Sequence, residues 1–450
     1  MKARTIISPF WMPILFFAAA IFLGALLLQL PISLNQGPLG FIDALFTATS
    51  ATCVTGLTVV DTGTRYTLFG QSVILTLIQL GGLGVMTFTG LIFYLWRRRV
   101  SLTDRVAVGQ SLLHDPRFHL GRFLFQIVLW TVVIELAGAL LIYFQARGLG
   151  VFGAVFHAVS AFCNAGFALQ ADSLTAWRSA WGLNLTFITL IVLGGIGFGV
   201  LMELKGWVWA LIAGRVDTVR LSWYASVVLR TTLFLIVAGW GAIYLAEFVG
   251  YRRHFDLSEA FLSALFQSVT CRTAGFNTLD IGQLTNVSLF FMIVLMFIGG
   301  SAGSCAGGIK VTTFRTLSSF VFAQFSGRRQ VVVGKFALDR ETVNKALLLF
   351  IFATLFIVTA VLLLNITEGG DLPHPSTRGL FLDIVFEVIS AFGTVGLSTG
   401  LTPTLSMAGK GIIVIVMFVG RLGPILFISA IQSLQRERRY DLPEETMLIG

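Results

Sequence analysis

Twelve apolar runs of two lengths, alternating long, short, long, constrain this chain more than any other feature. The long runs cover residues 13–30, 70–96, 122–144, 181–213, 227–249, 284–324, 345–364 and 409–434, and the short ones 41–51, 152–161, 257–269 and 379–391. A bilayer core about 30 Å thick needs about 20 helical residues to cross it, and ten reach only halfway. The pattern predicts eight transmembrane helices, the sixth interrupted, and four re-entrant half-helices. Composition agrees: 56% hydrophobic and 12% charged residues, with a mean hydropathy of +0.87, exceed what a soluble core absorbs.

Each short run is followed by a glycine-bearing stretch: Val54-Thr55-Gly56-Leu57, Asn164-Ala165-Gly166-Phe167, Thr273-Ala274-Gly275-Phe276 and Thr394-Val395-Gly396-Leu397. Extended backbone at membrane depth is tolerated only inside protein or along a water-filled cavity. Four such stretches converging on one axis make a pore. Asp43 and Asp383 each stand thirteen residues before their glycine, and a second small-residue cluster follows each glycine at a similar offset: Gly81-Gly82-Leu83-Gly84, Gly194-Gly195-Ile196-Gly197, Gly299-Gly300-Ser301-Ala302-Gly303 and Gly420-Arg421-Leu422-Gly423. One cluster alone reads as close helix packing; recurrence in all four points to a symmetric bundle. The expected fold is an all-α integral membrane protein of four M1–pore helix–M2 repeats, residues 9–96, 122–213, 227–324 and 345–434, around one pseudo-fourfold pore. A cytoplasmic tail, 435–450, follows.

The net charge of +9 raises nucleic acid as a partner, but the cations punctuate the apolar runs instead of forming a patch. With the N-terminus cytoplasmic, 22 of the 31 Lys and Arg fall on that side, which sets both termini there and has the half-helices enter from outside. Residues 1–30 read as a first helix, since further spans follow what would otherwise pass for a signal peptide. The four cysteines lack CxxC spacing, the five histidines form no HExxH motif, and no nucleotide-binding motif appears. The chain is expected to bind no cofactor of its own and no nucleic acid.

The chemistry suits a cation. Carbonyl rings replace an ion's hydration shell without burying fixed charge. Aligning them calls for unusual φ/ψ, which glycine accepts. Half-helices entering from outside aim their partly negative C-terminal ends at the pore centre. Asp43 and Asp383 read either as half-helix caps or as cation attractors at the mouth. Glu387 reads as a brace behind the filter and Arg272 as a side chain turned away from the ion path. Glu135 and Glu203, in or near apolar runs, are open candidates.

The sixth run carries Gly299-Gly300-Ser301-Ala302-Gly303-Ser304-Cys305-Ala306-Gly307-Gly308 in mid-membrane. Each interior glycine costs a helix about 1 kcal/mol relative to alanine, so this stretch is expected to be a flexible loop below the filter that obstructs the pore. Arg421 aligns with the second glycine of the other clusters. Its expected role is to hydrogen-bond carbonyls of that loop, holding it as a gate.

In these residues, above all the segments 390–398 and 299–310 and Arg421, the sequence resembles the Trk/Ktr/HKT superfamily of potassium uptake proteins over nearly its whole length. It is most similar to the Ktr transmembrane subunit, since the sequence opens at the first repeat. Some plant relatives preferring Na⁺ carry serine at the first filter position, where this chain has Gly56; the resemblance therefore implies K⁺ as the transported ion. It further implies a bacterial-type inner membrane location and a homodimer resting on a cytoplasmic ring of RCK-type nucleotide-binding subunits, with Na⁺ a candidate activator. The basic segments 97–121, 214–226 and 325–344 read equally as docking surfaces and as sites for anionic lipid. The alternatives are a secondary carrier for a small solute with a midplane site and a Na⁺-permeable member of the same superfamily.

Overall fold

The computed structural model describes residues 11–83, 120–214, 220–250, 255–370 and 373–423. Outside the described residues lie the far end of the second long run (84–96), most of the first basic segment, part of the second (215–219), the end of the last run (424–434) and the tail 435–450.

The described chain is predominantly helical. Its first quarter forms α1 (Trp11–Gln29), the short α2 (Phe41–Thr52) and α3 (Leu68–Gly82). The second forms α4 (Leu120–Gln145), α5 (Gly150–Phe162), α6 (Trp181–Gly195) and α7 (Phe198–Ile212). The third forms α8 (Trp223–Ile243), α9 (Leu257–Thr270), α10 (Asn286–Phe297) and α11 (Val311–Phe325). After a two-stranded hairpin, Val332–Val333 with Phe336–Ala337, come α12 (Arg340–Leu364), α13 (Leu380–Gly393) and α14 (Met407–Leu422).

Side-chain polarity sorts these helices into layers. On the long helices large apolar residues such as Leu23, Phe125, Phe234 and Leu355 are more than half exposed, as a lipid-facing surface requires. The short helices α2, α5, α9 and α13 bury nearly everything beyond their first turn and form the centre. Each packs against the long helix before it, α1, α4, α8 and α12. Each also meets a helix from the preceding quarter: α3 on α5, α6 on α9, α10 on α13, and α14 back on α2. The contacts close a circle.

Hydroxyl caps start α3, α10 and α14, where Thr67, Thr285 and Ser406 accept from backbone amides one turn on. Two of these caps are reinforced from the end of the previous long helix. Glu247, in a π-helical turn after α8, accepts from Thr285 N (3.2 Å) and Ser288 Oγ (2.7 Å); Glu368, in the same position after α12, accepts from Ser406 N (3.1 Å).

One expectation changes. The run 181–213 is not one straight span: α6 and α7 meet at 116°, with the break at Gly197, whose φ of +89° no helix continues. The interrupted run 284–324 is therefore not alone in being broken. Among the described residues three helices are long and apolar enough to cross a membrane, or four if the bent pair is one span; α1 and α10 are apolar but shorter.

Candidate ion pathway

Every short central helix ends in the same backbone turn. Val54, Asn164, Thr273 and Thr394 take left-handed conformations with φ of 56°, 58°, 70° and 51°, and two residues later Gly56, Gly166, Gly275 and Gly396 have φ of 97°, 69°, 81° and 92°. Of the five non-glycine residues with positive φ among those described, these are four. For a residue with a Cβ, and most of all a β-branched one, this region is strained by about 1–3 kcal/mol. Surrounding structure must impose it. Only Asn164 is of a residue type that favours it.

The four glycines meet. A methyl group placed on Gly56 would stand 3.1 Å from Gly166 Cα; on Gly166, 2.8 Å from Gly275 Cα; on Gly275, 3.4 Å from Gly396 Cα; and on Gly396, 2.9 Å from Gly56 Cα. The ring runs in chain order and closes on itself. Glycine is needed here for its φ and for the close approach of backbones. The C-terminal, partly negative ends of α2, α5, α9 and α13 lead into this ring, a field that favours a cation and opposes an anion.

The ring is braced from behind by buried polar groups. Ser50 Oγ accepts from Gly56 N (3.0 Å) and Ser390 Oγ from Gly396 N (3.1 Å). Ser160 Oγ and Thr270 Oγ1 instead donate to Phe167 O (2.8 Å) and Phe276 O (2.6 Å). Nine residues before the glycine, Glu387 accepts from Thr402 Oγ1 (2.8 Å) and from Ser398. The matching position in the second quarter is His157. Its Nε2 accepts from Leu169 N (3.3 Å), so its Nδ1 donates to Gly153 O (2.7 Å). In the first it is Thr47, which accepts from Tyr66 OH (3.2 Å). Glu387 is expected here from the sequence; Thr47 and His157 are not, and their shared offset from the glycine is the signal that marks them.

Asp43 is not a side-chain cap. The cap position of α2 is Gly40, which offers no side chain, and Asp43 instead pairs with Lys410 of α14 (2.7 Å), joining the first and last quarters at one end of the bundle. Glu135 lies buried on α4 and accepts from Gln79 Nε2 (3.2 Å), whereas Glu203 is tied to Ser222, at the start of α8 (2.9 Å). Cys53, Cys163 and Cys271 are buried and free beside the ring, and no group of three or more His, Cys, Asp or Glu suited to a metal ion is found among the described residues.

The small-residue clusters serve the same centre. A Cβ on Gly81, Gly194 or Gly420 would collide with the carbonyl oxygen of Thr52, Phe162 or Phe392, so α3, α6 and α14 each press their first cluster glycine onto the end of the short helix in their own quarter. In the third quarter the helix is absent at this level, and residues 298–310 form a loop. Its neck is closed by Gly299 N to Ile309 O (2.8 Å) and Val311 N to Gly300 O (3.0 Å). Ser301 N and Cys305 N donate to Gly195 O and Gly194 O (3.0 and 3.1 Å), and Phe198 N to Gly303 O (3.1 Å), which ties the loop into the break between α6 and α7.

Buried Arg421 donates Nη1 to Cys305 O and Nη2 to Gly81 O, linking α14, the loop and α3. Gly307 N donates to Thr394 Oγ1 (3.1 Å), so the loop touches a ring residue directly. Lys310 Nζ caps the loop's own Ala306 O (2.6 Å). In this conformation, therefore, the glycine-rich stretch is held at its neck, its middle and its far end.

A lipid-facing helical shell enclosing a ring of strained backbone, approached by the negative ends of four short helices, defines a membrane protein of the cation-transport class. The model of the TrkH family, described as cation transport protein, matches residues 14–434, and the chain belongs to that family. It is 40% identical over 436 residues to the Ktr system potassium uptake protein B of Bacillus subtilis (strain 168), covering 94% of this chain and 93% of that protein. It is 35% identical over 458 residues to the potassium/sodium uptake protein NtpJ of Enterococcus hirae, covering 100% and 99%. The crystal structure of the potassium transporter TrkH from Vibrio parahaemolyticus superposes with a TM-score of 0.72 at 20% identity over 95% of this chain and 86% of that one, a likeness of fold. The resemblance read from the filter strings, the glycine-rich loop and Arg421 thus holds.

Proposed function

We propose that the chain is the K⁺-translocating subunit of an uptake system, with the ring of Gly56, Gly166, Gly275 and Gly396 as its selectivity filter. In this reading the four quarters are M1–pore helix–M2 repeats about one pore, residues 299–308 with Arg421 are its gate, and carbonyls of the filter strings replace the hydration shell of the ion. The observation that carries it is the closed circle of four glycines, each two residues after a left-handed turn at the end of a buried half-helix. A site for one small solute would need no such repetition.

The same reading places the protein in the bacterial inner membrane with both termini cytoplasmic. It makes the protein a homodimer controlled by a cytoplasmic RCK-type ring, with Na⁺ as a candidate activator. The hairpin 332–337 and the exposed Arg328 and Arg329 beside it offer that ring a basic surface. A second reading, passage of Na⁺ as well, is favoured by the name of the Enterococcus relative, a potassium/sodium uptake protein. Flux of K⁺, Rb⁺ and Na⁺ through the purified protein in liposomes decides between them: K⁺ and Rb⁺ are expected to pass well ahead of Na⁺. Equal passage would favour the second reading, and passage of none would refute both.

A further inference from the structure

The position just before each left-handed ring residue is Cys53, Cys163 and Gly393 in three quarters, and in the third it is Arg272. A long cation at a place otherwise reserved for small residues needs a reason. Arg272 is 6% exposed, set among Ile191, Val192, Ile236 and Val269, and Nη2 donates to Gly299 O at 3.1 Å. Gly299 is the neck of the loop, the residue whose own amide bonds Ile309 across it. Nη1 has no partner among the described residues, and Arg272 borders, with Gly300, a void of about 10 Å³, room for a single water.

Arg421 and Lys310 also bond the loop, but from α14 and from the loop's own base. Among the described residues, Arg272 alone has its side chain bonded to the loop's neck from a filter-lining segment. Its backbone precedes Thr273, whose φ is +70°, so a shift of the neck carbonyl pulls on a strained segment that has no slack.

We propose that Arg272 is a positioning residue that couples the filter to the loop, so that release of the neck and a change in the third filter segment occur together. This rests on the filter-and-gate reading above. The guanidinium does not touch the ion; it acts through Gly299.

A double-mutant cycle in liposomes tests it. K⁺ and Na⁺ flux are measured for the natural chain and Arg272→Gln, each with the loop intact and with residues 301–306 deleted. With the loop intact, Arg272→Gln is expected to raise K⁺ flux about fivefold or more and to lower the K⁺ over Na⁺ ratio, while Arg272→Lys, which keeps the positive charge, falls between. With the loop deleted, the substitution should change K⁺ flux by less than twofold. Equal effects in both backgrounds, or none in either, overturn the coupling while leaving the pore reading standing. Failure of the natural chain to pass any cation even with the loop deleted overturns both. Should Arg272→Gln not insert, hydrogen exchange of the natural chain serves instead. The Gly299–Gly303 amides are expected to exchange several-fold faster in Na⁺ than in K⁺, and identical rates overturn the proposal.

Discussion

The amide of Gly307 donates to Thr394 Oγ1 across 3.1 Å, so the glycine-rich loop of the third quarter is hydrogen-bonded to a left-handed ring residue of the fourth. Thr394 O–H therefore belongs to two structures at once, and a change in either is felt by the other. This contact and the Arg421 bonds are where the proposed gate is most open to test.

Replacing Arg421 with Ala removes two charge-assisted bonds, to Cys305 O and Gly81 O. Hydrogen bonds to charged groups are each worth about 1.5–3 kcal/mol, enough to shift a closed-to-open balance roughly tenfold or more. K⁺ flux in liposomes is expected to rise by that order. Unchanged flux and gating would remove Arg421 from the mechanism.

Gly56→Ala asks for a Cβ at a φ of +97° and within 2.5 Å of Ala165 O. The left-handed conformation alone costs about 1–2 kcal/mol with a Cβ present, and the overlap adds to it. The variant should reach the membrane and migrate as the natural protein does on size exclusion, yet lose nearly all K⁺ flux. Full flux would mean that the ring is not the ion path.

Glu387→Leu takes the carboxylate acceptor from the buried hydroxyl of Thr402 and the half-buried one of Ser398; a buried group left unpaired costs about 1–3 kcal/mol. A lower K⁺ over Na⁺ ratio and a lower melting temperature are expected. Glu387→Gln keeps an acceptor oxygen and should recover most of both. If the two variants behave alike, the brace is not what Glu387 supplies.

Asp43→Asn breaks the pair with Lys410, whose side chains remain 25% and 14% exposed. Pairs with solvent contact contribute up to about 1 kcal/mol. Thermal shift should register a small loss that fades as salt is raised, and K⁺ flux should fall less than twofold. A tenfold fall in flux would mark Asp43 as an attractor of cations at the mouth.

Among the described residues, Glu135 receives hydrogen bonds from the neutral donors Gln79 and Cys163. Glu135→Gln preserves shape and an acceptor oxygen, so flux and expression should both stay within twofold. A large loss of flux with normal expression would mark Glu135 as a charge the transport cycle uses.

How much of this was legible in the chain depended on whether the cause was local. Run length separated the short helices α2, α5, α9 and α13 from the long ones, because what a helix spans follows from its residue count alone. Glycine marked the ring and the loop, because a missing Cβ is a property of one residue. The 116° turn between α6 and α7 was readable in principle from Gly194-Gly195-Ile196-Gly197, but a glycine cluster inside an apolar run also suits a straight, tightly packed helix. Only the neighbours decide.

Other features had no local cause at all. Val54, Thr273 and Thr394 are among the residues least suited to a left-handed backbone, and they adopt it because the short helix, the adjoining ring segment and what packs behind them, a long helix for Val54 and Thr394 and the 298–310 loop for Thr273, leave no other course. The bonding of Arg272 to Gly299, of Arg421 to Gly81 and of Thr47 to Tyr66 joins residues 19 to 340 positions apart. The order of residues determined which segments enter the bilayer and where glycine permits close approach. Which backbone each glycine meets, and which carbonyl each buried cation finds, came from packing the quarters in a circle, where a buried polar group must take whatever partner that packing brings within reach.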